Sequence, residues 1–518
     1  MKSPAEYGLP EKFDKWRTNQ EPLLDYLSRS NKRTRTACAP TGSGKSPVAV
    51  AHALESGEPT CIVTGTRGLQ NQYISDFSEI GMVSVMGRRN YQCDMKPDDP
   101  SYTCEEGYAA RCPYKGSVAC PCSQAEIRAA TSNLIVTNYA KWTASKKYGN
   151  GWDHIKQVIF DEGHSCPDAL ADAMQVILNH REIEKDLKLD FPKNPENAEF
   201  STWKNWAVLA RATAELEMIA AQARIAGLSD PKPTWVKHFT HMRNLARRLA
   251  TLATASPNDW IVEELEEGFQ FDPIRPGKYA EGALLFRVPK IVILSATLRP
   301  KTMYMINMSK DNFDFKEFDS DFDPKRCPIY YVPTMRVDSR ADDLSMLWLR
   351  LDQILARRTD RKGIIQTTSF IYQQGVQGAS RFGNKMILNP RGEAPTEVIE
   401  RFRNSGPGAV LVSPSIAEGY DFKDDQCRFT IILKIPFEPP SKIQKAREEL
   451  DPEYRPYRTM QKLVQQIGRD VRSKTDWSER FIGDGHCEWF IPRYGHLAPK
   501  SFHAFFKTVN ILPQPPKL

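Results

Sequence analysis

The stretch Ala39-Pro40-Thr41-Gly42-Ser43-Gly44-Lys45-Ser46 constrains this chain more than any other. It follows a polar, basic run and leads into Val48-Ala49-Val50-Ala51-His52-Ala53-Leu54, a good helix. It reads as a phosphate-binding loop. Gly42 and Gly44 let the amides around Thr41 and Ser43 turn inward onto phosphate oxygens, and the helix N-terminus adds partial positive charge. Lys45 reaches the terminal phosphates, and the Ser46 hydroxyl is placed to ligate Mg²⁺. Pro47 is tolerated because its missing N–H falls in the first helical turn.

Short apolar, β-branched runs recur after this loop. They are Cys61–Thr64, Leu134–Thr137, Val158–Asp161, Ile291–Leu294, Gly363–Gln366, Ala409–Val412 and Phe429–Leu433. Near-continuous apolar strands alternating with helices predict parallel sheets covered on both faces. A chain of 518 residues holds roughly three or four domains. The reading is α/β, with one domain over 1–322 and a second over 323–518, divided in the polar, Pro-containing stretch Asp319–Pro328.

Two interruptions break the first domain. Residues 88–125 hold Cys93, Cys104, Cys112, Cys120 and Cys122, five of the eleven cysteines. In a reducing compartment such a cluster binds metal more often than it forms disulfides. Cys93, Cys104, Cys112 and Cys120 offer four thiolates, enough for a cubane iron–sulfur cluster or for tetrahedral zinc. Residues 165–285 read as mainly helical. Trp203, Trp206, Leu209, Leu216, Ile219 and Ala223 recur at helical spacing, with Gly227 as a stop. Trp235, Phe239, Met242, Leu245, Leu249 and Leu252 repeat the pattern, which predicts a packed helical hairpin. Arg243, Arg247 and Arg248 on the second helix read as a solvated face, with nucleic-acid contact as the alternative.

The excess of 71 Lys and Arg over 64 Asp and Glu, a net +7, allows a polyanionic partner without requiring one. No long apolar run appears, and Met1–Glu6 lacks a signal-peptide core, so the expected location is intracellular and cytoplasmic, away from membranes.

Asp161-Glu162-Gly163-His164 ends an apolar strand. Downstream of a phosphate loop, Asp161 is placed to hold Mg²⁺ through water and Glu162 to orient or deprotonate the attacking water. Ser295-Ala296-Thr297 ends another strand, where small hydroxyl residues can couple nucleotide state to a neighbouring surface. In Gln465-Gln466-Ile467-Gly468-Arg469-Asp470-Val471-Arg472, helical spacing puts Gln465, Arg469 and Arg472 on one side. The two arginines can stabilise charge on a transferred phosphoryl group from a second domain.

The order of these motifs resembles that of superfamily 2 helicases, and the details resemble the XPD/DinG family. Arg17 and Gln20 stand before the phosphate loop, as in that family's opening motif. Thr66-Arg67-Gly68-Leu69-Gln70-Asn71-Gln72 resembles its Thr-x-x-Leu-Gln-x-Gln element. Gly87–Cys93 resembles the lead-in to its cysteines, and Glu418-Gly419-Tyr420-Asp421-Phe422 with Lys434-Ile435-Pro436-Phe437 resembles its fifth motif. The resemblance covers nearly the whole chain. It implies two RecA-like parallel-sheet motor domains, with an iron–sulfur insertion at 88–125 and an arch-like helical insertion at 165–285. It implies ATP and Mg²⁺ as cofactors, with Arg17, Gln20, Gly419 and Asp421 joining the phosphate loop at the nucleotide. It also implies a 4Fe-4S cluster, read here on Cys93, Cys104, Cys112 and Cys120. Cys122 stands where the family tends to have an aromatic residue, and is the alternative to Cys120. The implied activity is ATP-driven 5′→3′ movement on single-stranded DNA and unwinding of forked DNA by a monomeric motor, in repair or replication. Arg88, Arg89 and Tyr91 suit phosphate and base-stacking contacts, or else local packing. The rival readings are an ATPase that remodels nucleic-acid complexes without unwinding, one acting on RNA or RNA–DNA hybrids, and a non-catalytic, metal-stapled binding subunit. Intact Lys45, Asp161, Glu162, Arg469 and Arg472 argue against the last.

Overall fold

The computed structural model describes residues 2–109, 112–147, 152–226, 228, 232–338, 343–414, 416, 420, 422, 424–471 and 475–516. The N-terminal half of the chain supplies β1 (Thr34–Cys38), β2 (Thr60–Thr64), β3 (Val83–Ser84), β4 (Leu134–Asn138) and β5 (Gln157–Asp161). An insertion follows with β6 (Val176–Asn179), β7 (Trp260–Leu265) and β8 (Gly268–Pro273), and the chain returns through β9 (Lys290–Ser295) and β10 (Phe313–Glu317). Seven of these form one sheet in the order β10-β1-β9-β5-β2-β4-β3. Each neighbouring pair in it runs parallel. Strands β2 and β5 are buried along their whole length, as both faces of a helix-covered sheet demand.

The register of this sheet builds the site. β9 lies between β1 and β5, with Cys38 opposite Ser295 and Asp161 opposite Leu294. Neighbouring strands lie about 4.8 Å apart. The segments leaving β1, β5 and β9 therefore emerge side by side at the carboxyl edge, where open α/β sheets bind ligands. Those segments carry the phosphate loop, Asp161-Glu162 and Ser295-Ala296-Thr297.

A second sheet holds β11 (Ile329–Met335), β12 (Gly363–Gln366), β13 (Met386–Leu388), β14 (Val410–Ser413), β15 (Phe429–Ile432), β16 (Glu479–Asp484) and β17 (Phe506–Thr508). Its order is β13-β14-β12-β15-β16-β11-β17, again with parallel pairings. The fold is thus α/β with two RecA-like sheets. Residues 318–328 link β10 of the first to β11 of the second. Among the described residues no helix is long and apolar enough to cross a membrane.

The insertion between β5 and β9 departs from the mainly helical expectation. Strands β6, β8 and β7 form an antiparallel sheet beside the helices Phe200–Ile225 and Pro233–Thr254. These two helices pack as a hairpin, but on a different stripe of the first helix than its large side chains suggest. Trp203 is buried with Ala207, Ala210, Ala214, Ala221 and Ile225, whereas Leu209 is 71% exposed and Leu216 68%. Interaxial distance is set by the side chains at the contact. An alanine face brings the partner helix close and turns the leucines outward. The second helix buries Met242, Leu245, Leu249 and Leu252, as its spacing predicts. Arg248 does not belong to a free basic face: it pairs with Glu182 at 2.5 Å. Gly227 lies outside the described residues.

Candidate nucleotide site between the two sheets

The phosphate loop takes the shape its glycines permit. Gly42 and Gly44 stand at φ 74° and 76°, a left-handed region that costs other L-residues. Gly44 caps helix Lys45–Ser56. Arg17 Nη1 donates to the Gly42 carbonyl at 2.8 Å and Gln20 Nε2 to the Gly44 carbonyl at 2.9 Å. Both residues brace the loop from outside. Lys45 Nζ folds onto the Ala39 and Pro40 carbonyls at 3.2 and 3.3 Å, and Ser43 Oγ donates to Pro40 at 2.7 Å.

Asp161 is buried at the end of β5. Burial, then the neighbouring Glu162 charge, raises its pKa. Glu162 follows at φ 59°, a costly angle for a non-glycine residue that recurs at functional sites. The turn aims its carboxylate into the cleft, with 24% of the side chain accessible. Burial pushes the Glu162 pKa up, but His164 with Lys45 and Arg469 outweighs it and holds the group below the usual carboxylate range. The two adjacent carboxylates are thus shifted in opposite directions.

The motifs interlock through His164. Its Nδ1 lies 2.8 Å from Ser295 Oγ and 3.3 Å from Glu162 Oε2. Its Nε2 meets the Gln465 side-chain amide of the second domain. Gln465 therefore contacts His164 across the domain border. Its helix, Tyr454–Ile467, lays one face along the first domain. Tyr457 Oη is 2.6 Å from Thr302 Oγ1, Arg458 pairs with Asp168, and Gln461 Nε2 reaches the Thr297 carbonyl at 3.5 Å. At the helix end Gly468 lies so near the loop that a Cβ there would be 3.0 Å from Thr41 Oγ1. Arg469 follows, 9% exposed, and lines the same cleft as Lys45, Ser46, Asp161 and Glu162. The cleft encloses about 1240 Å³. Arg472, Gly419 and Asp421 lie outside the described residues.

Two contributors escape sequence reasoning. His164 belongs to the Asp-Glu-Gly-His motif, which by itself gives the histidine no role. Tyr73 stands in no motif, yet its hydroxyl donates to Asp161 Oδ2 at 2.7 Å. No local pattern marks a tyrosine that meets a carboxylate 88 residues away.

The cysteine insertion gathers its thiols. Cys93, Cys104, Cys120 and Cys122 are buried and Cys112 partly so. Cys104, Cys120 and Cys122 pack in one cluster, and Cys93 and Cys112 both lie beside Gly107. A Cβ at Gly107 would overlap the Cys93 sulfur. The donors suit an iron–sulfur cluster in kind. Among the described residues, however, no three Cys, His, Asp or Glu side chains stand in a metal-holding arrangement. Cys122 is buried in one cluster with Cys104 and Cys120. Tyr91 is packed against these cysteines, and its hydroxyl accepts from the Met86 amide at 2.9 Å. Local packing is thus present at Tyr91. Arg88 stacks on Tyr108 at 3.8 Å.

Residues 17–191 match the DEAD/DEAH box helicase family and residues 358–505 the helicase C-terminal domain family. With two RecA-like sheets around one cleft, these matches define a superfamily 2 helicase. The chain is 26% identical over 268 residues to the ATP-dependent DNA helicase DinG of Escherichia coli K12, a match spanning 46% of this chain and 37% of that protein. DinG of Escherichia coli O157:H7 matches to the same extent. A solved XPD helicase superposes with a TM-score of 0.64 at 16% identity, covering 96% of this chain and all of the other. The S. tokodaii Xpd4 structure gives 0.58 at 13% identity, covering 95% of this chain and 100% of its own. Within superfamily 2, the chain is similar to the XPD/DinG type. It spans little more than a third of the length of the curated relatives it matches.

Proposed function

We propose that this chain is an ATP-dependent DNA helicase that moves 5′→3′ along single-stranded DNA and unwinds duplex at a fork. One observation carries the reading: Lys45, Asp161 and Glu162 of the first domain and Arg469 of the second line a single cleft. Lys45 and the loop amides hold the ATP phosphates. Ser46 and Asp161 are the residues that would hold Mg²⁺, which supplies charge neutralisation at the phosphates. Glu162 orients the attacking water. Arg469, with Arg472, stabilises charge that develops only in the closed state, so it speeds hydrolysis without tightening ATP binding. Gly419 and Asp421 complete the nucleotide contacts. The named activity of the Escherichia coli relatives favours DNA over RNA.

Cys93, Cys104, Cys112 and Cys120 hold a 4Fe-4S cluster in this reading, and the insertion separates the strands. The protein works as a monomer in the cytoplasm. Strand displacement measured beside ATP turnover, on duplexes with 5′ or 3′ tails, tests the activity. Unwinding restricted to 5′-tailed DNA and abolished by Lys45→Ala is the expected result. Turnover without displacement would mean a remodelling ATPase, and activity restricted to RNA–DNA hybrids would move the substrate. Anaerobically purified protein should be brown, with about four irons per chain. Stoichiometric zinc without iron would replace the cluster assignment.

A further inference from the structure

The helix carrying Tyr73 is fixed at its start. Thr66, just beyond β2, caps helix Arg67–Phe77 by accepting from the Leu69 amide at 3.2 Å. Two turns later this sends Tyr73 under the nucleotide cleft. Its side chain is 1% exposed, and its ring lies 5.8 Å from that of Phe77. Packing accounts for the ring. It does not account for the hydroxyl, which reaches the Asp161 carboxylate at 2.7 Å. The other Asp161 oxygen accepts from the Glu162 amide at 3.0 Å, so both oxygens are held.

We infer that Tyr73 is a positioning residue for the magnesium site, fixing the Asp161 carboxylate through its hydroxyl so that Asp161 presents an oxygen to the cation. The inference rests on the reading of Ser46 and Asp161 as magnesium ligands proposed above. Such outer partners orient metal ligands, and losing one typically costs roughly 10–100-fold in metal affinity or activity.

Tyr73→Phe removes the hydroxyl and keeps the ring. The measurement is equilibrium binding of a fluorescent ATP analogue, titrated with Mg²⁺ and repeated in EDTA. Thermal melting is recorded for each variant. Tyr73→Phe should raise the Mg²⁺ midpoint about tenfold and leave EDTA binding unchanged. In an Asp161→Asn background the same change should add almost nothing, because the two groups act as a unit. Phe77→Leu, which loosens the ring packing and spares the hydroxyl, should melt earlier at the wild-type midpoint. A wild-type midpoint in Tyr73→Phe, or an equal shift in Phe77→Leu, overturns the role of Tyr73. If wild-type binding itself shows no dependence on Mg²⁺, the fault lies in the reading of Ser46 and Asp161.

Discussion

The two motor domains bury their charges to different ends. In the first, Asp161 and Glu162 stand at the end of β5, and Glu162 faces a cleft. In the second, two buried charge pairs lie within and behind the sheet. Arg358 Nη2 meets Glu479 at 2.6 Å, with side chains 0% and 2% exposed. Arg480 meets Asp470 at 2.7 Å, and the other Asp470 oxygen accepts from Thr430 and Ser478. An ionised group kept beside solvent stays free to act on a ligand, whereas one saturated by protein donors is committed to the fold. Asp470 sits beside Arg469 in sequence, so one motif serves both ends.

The largest expected effect tests the first half of that comparison. Glu162→Gln should bind ATP with near-normal affinity and lose about 10²–10⁴-fold in turnover, with an unchanged melting curve. Failure to bind nucleotide would give Glu162 a structural role like that of Asp470. Arg480→Met tests the other half. It strands the Asp470 charge and should cost about 3–5 kcal/mol in chemical denaturation, while any folded fraction still binds ATP. A loss of turnover at full stability would erase the distinction between the domains.

The smallest effect concerns a buried base in the first domain. His52 lies on the helix after the phosphate loop, 4% exposed, and neither ring nitrogen has a partner among the described residues. Burial lowers its pKa from 6.5 to about 4. The unfolded chain therefore binds the extra proton first. Stability is full above pH 6.5 and falls by about 3 kcal/mol as pH drops toward 4. His52→Leu should flatten that stretch of the pH–stability curve. A slope equal to wild type would assign the acid sensitivity to the carboxylates instead.

The same contrast decides what can be read from the sequence. Strands β2, β4, β5, β9, β12, β14 and β15 are apolar runs and are legible. β1 (Thr-Arg-Thr-Ala-Cys) and β16 (Glu-Arg-Phe-Ile-Gly-Asp) are not. Their polar residues look solvated until partners far along the chain are known: Arg358 for Glu479, Asp470 for Arg480, and the Asp314 carbonyl for Thr36. The site is legible wherever its chemistry is local, as in the phosphate loop and the Asp-Glu pair. Tyr73 and the His164–Gln465 contact depend on strand order, which no local spacing encodes. On the arch-like hairpin, size misleads: helical periodicity marks two apolar faces on Phe200–Ile225, and the alanine one is inside.

The face of helix Tyr454–Ile467 that borders the first domain has a mechanical consequence. Its contacts at Tyr457, Arg458, Gln461 and Gln465 recur about once per turn, or every 5.4 Å along the axis. Nearly all are hydrogen bonds or ion pairs. Water can substitute for such contacts at small net cost, about 1 kcal/mol each, whereas an oily joint of equal length would resist wetting. The border behaves like a perforated line rather than a weld. It holds register while closed, and it can open turn by turn.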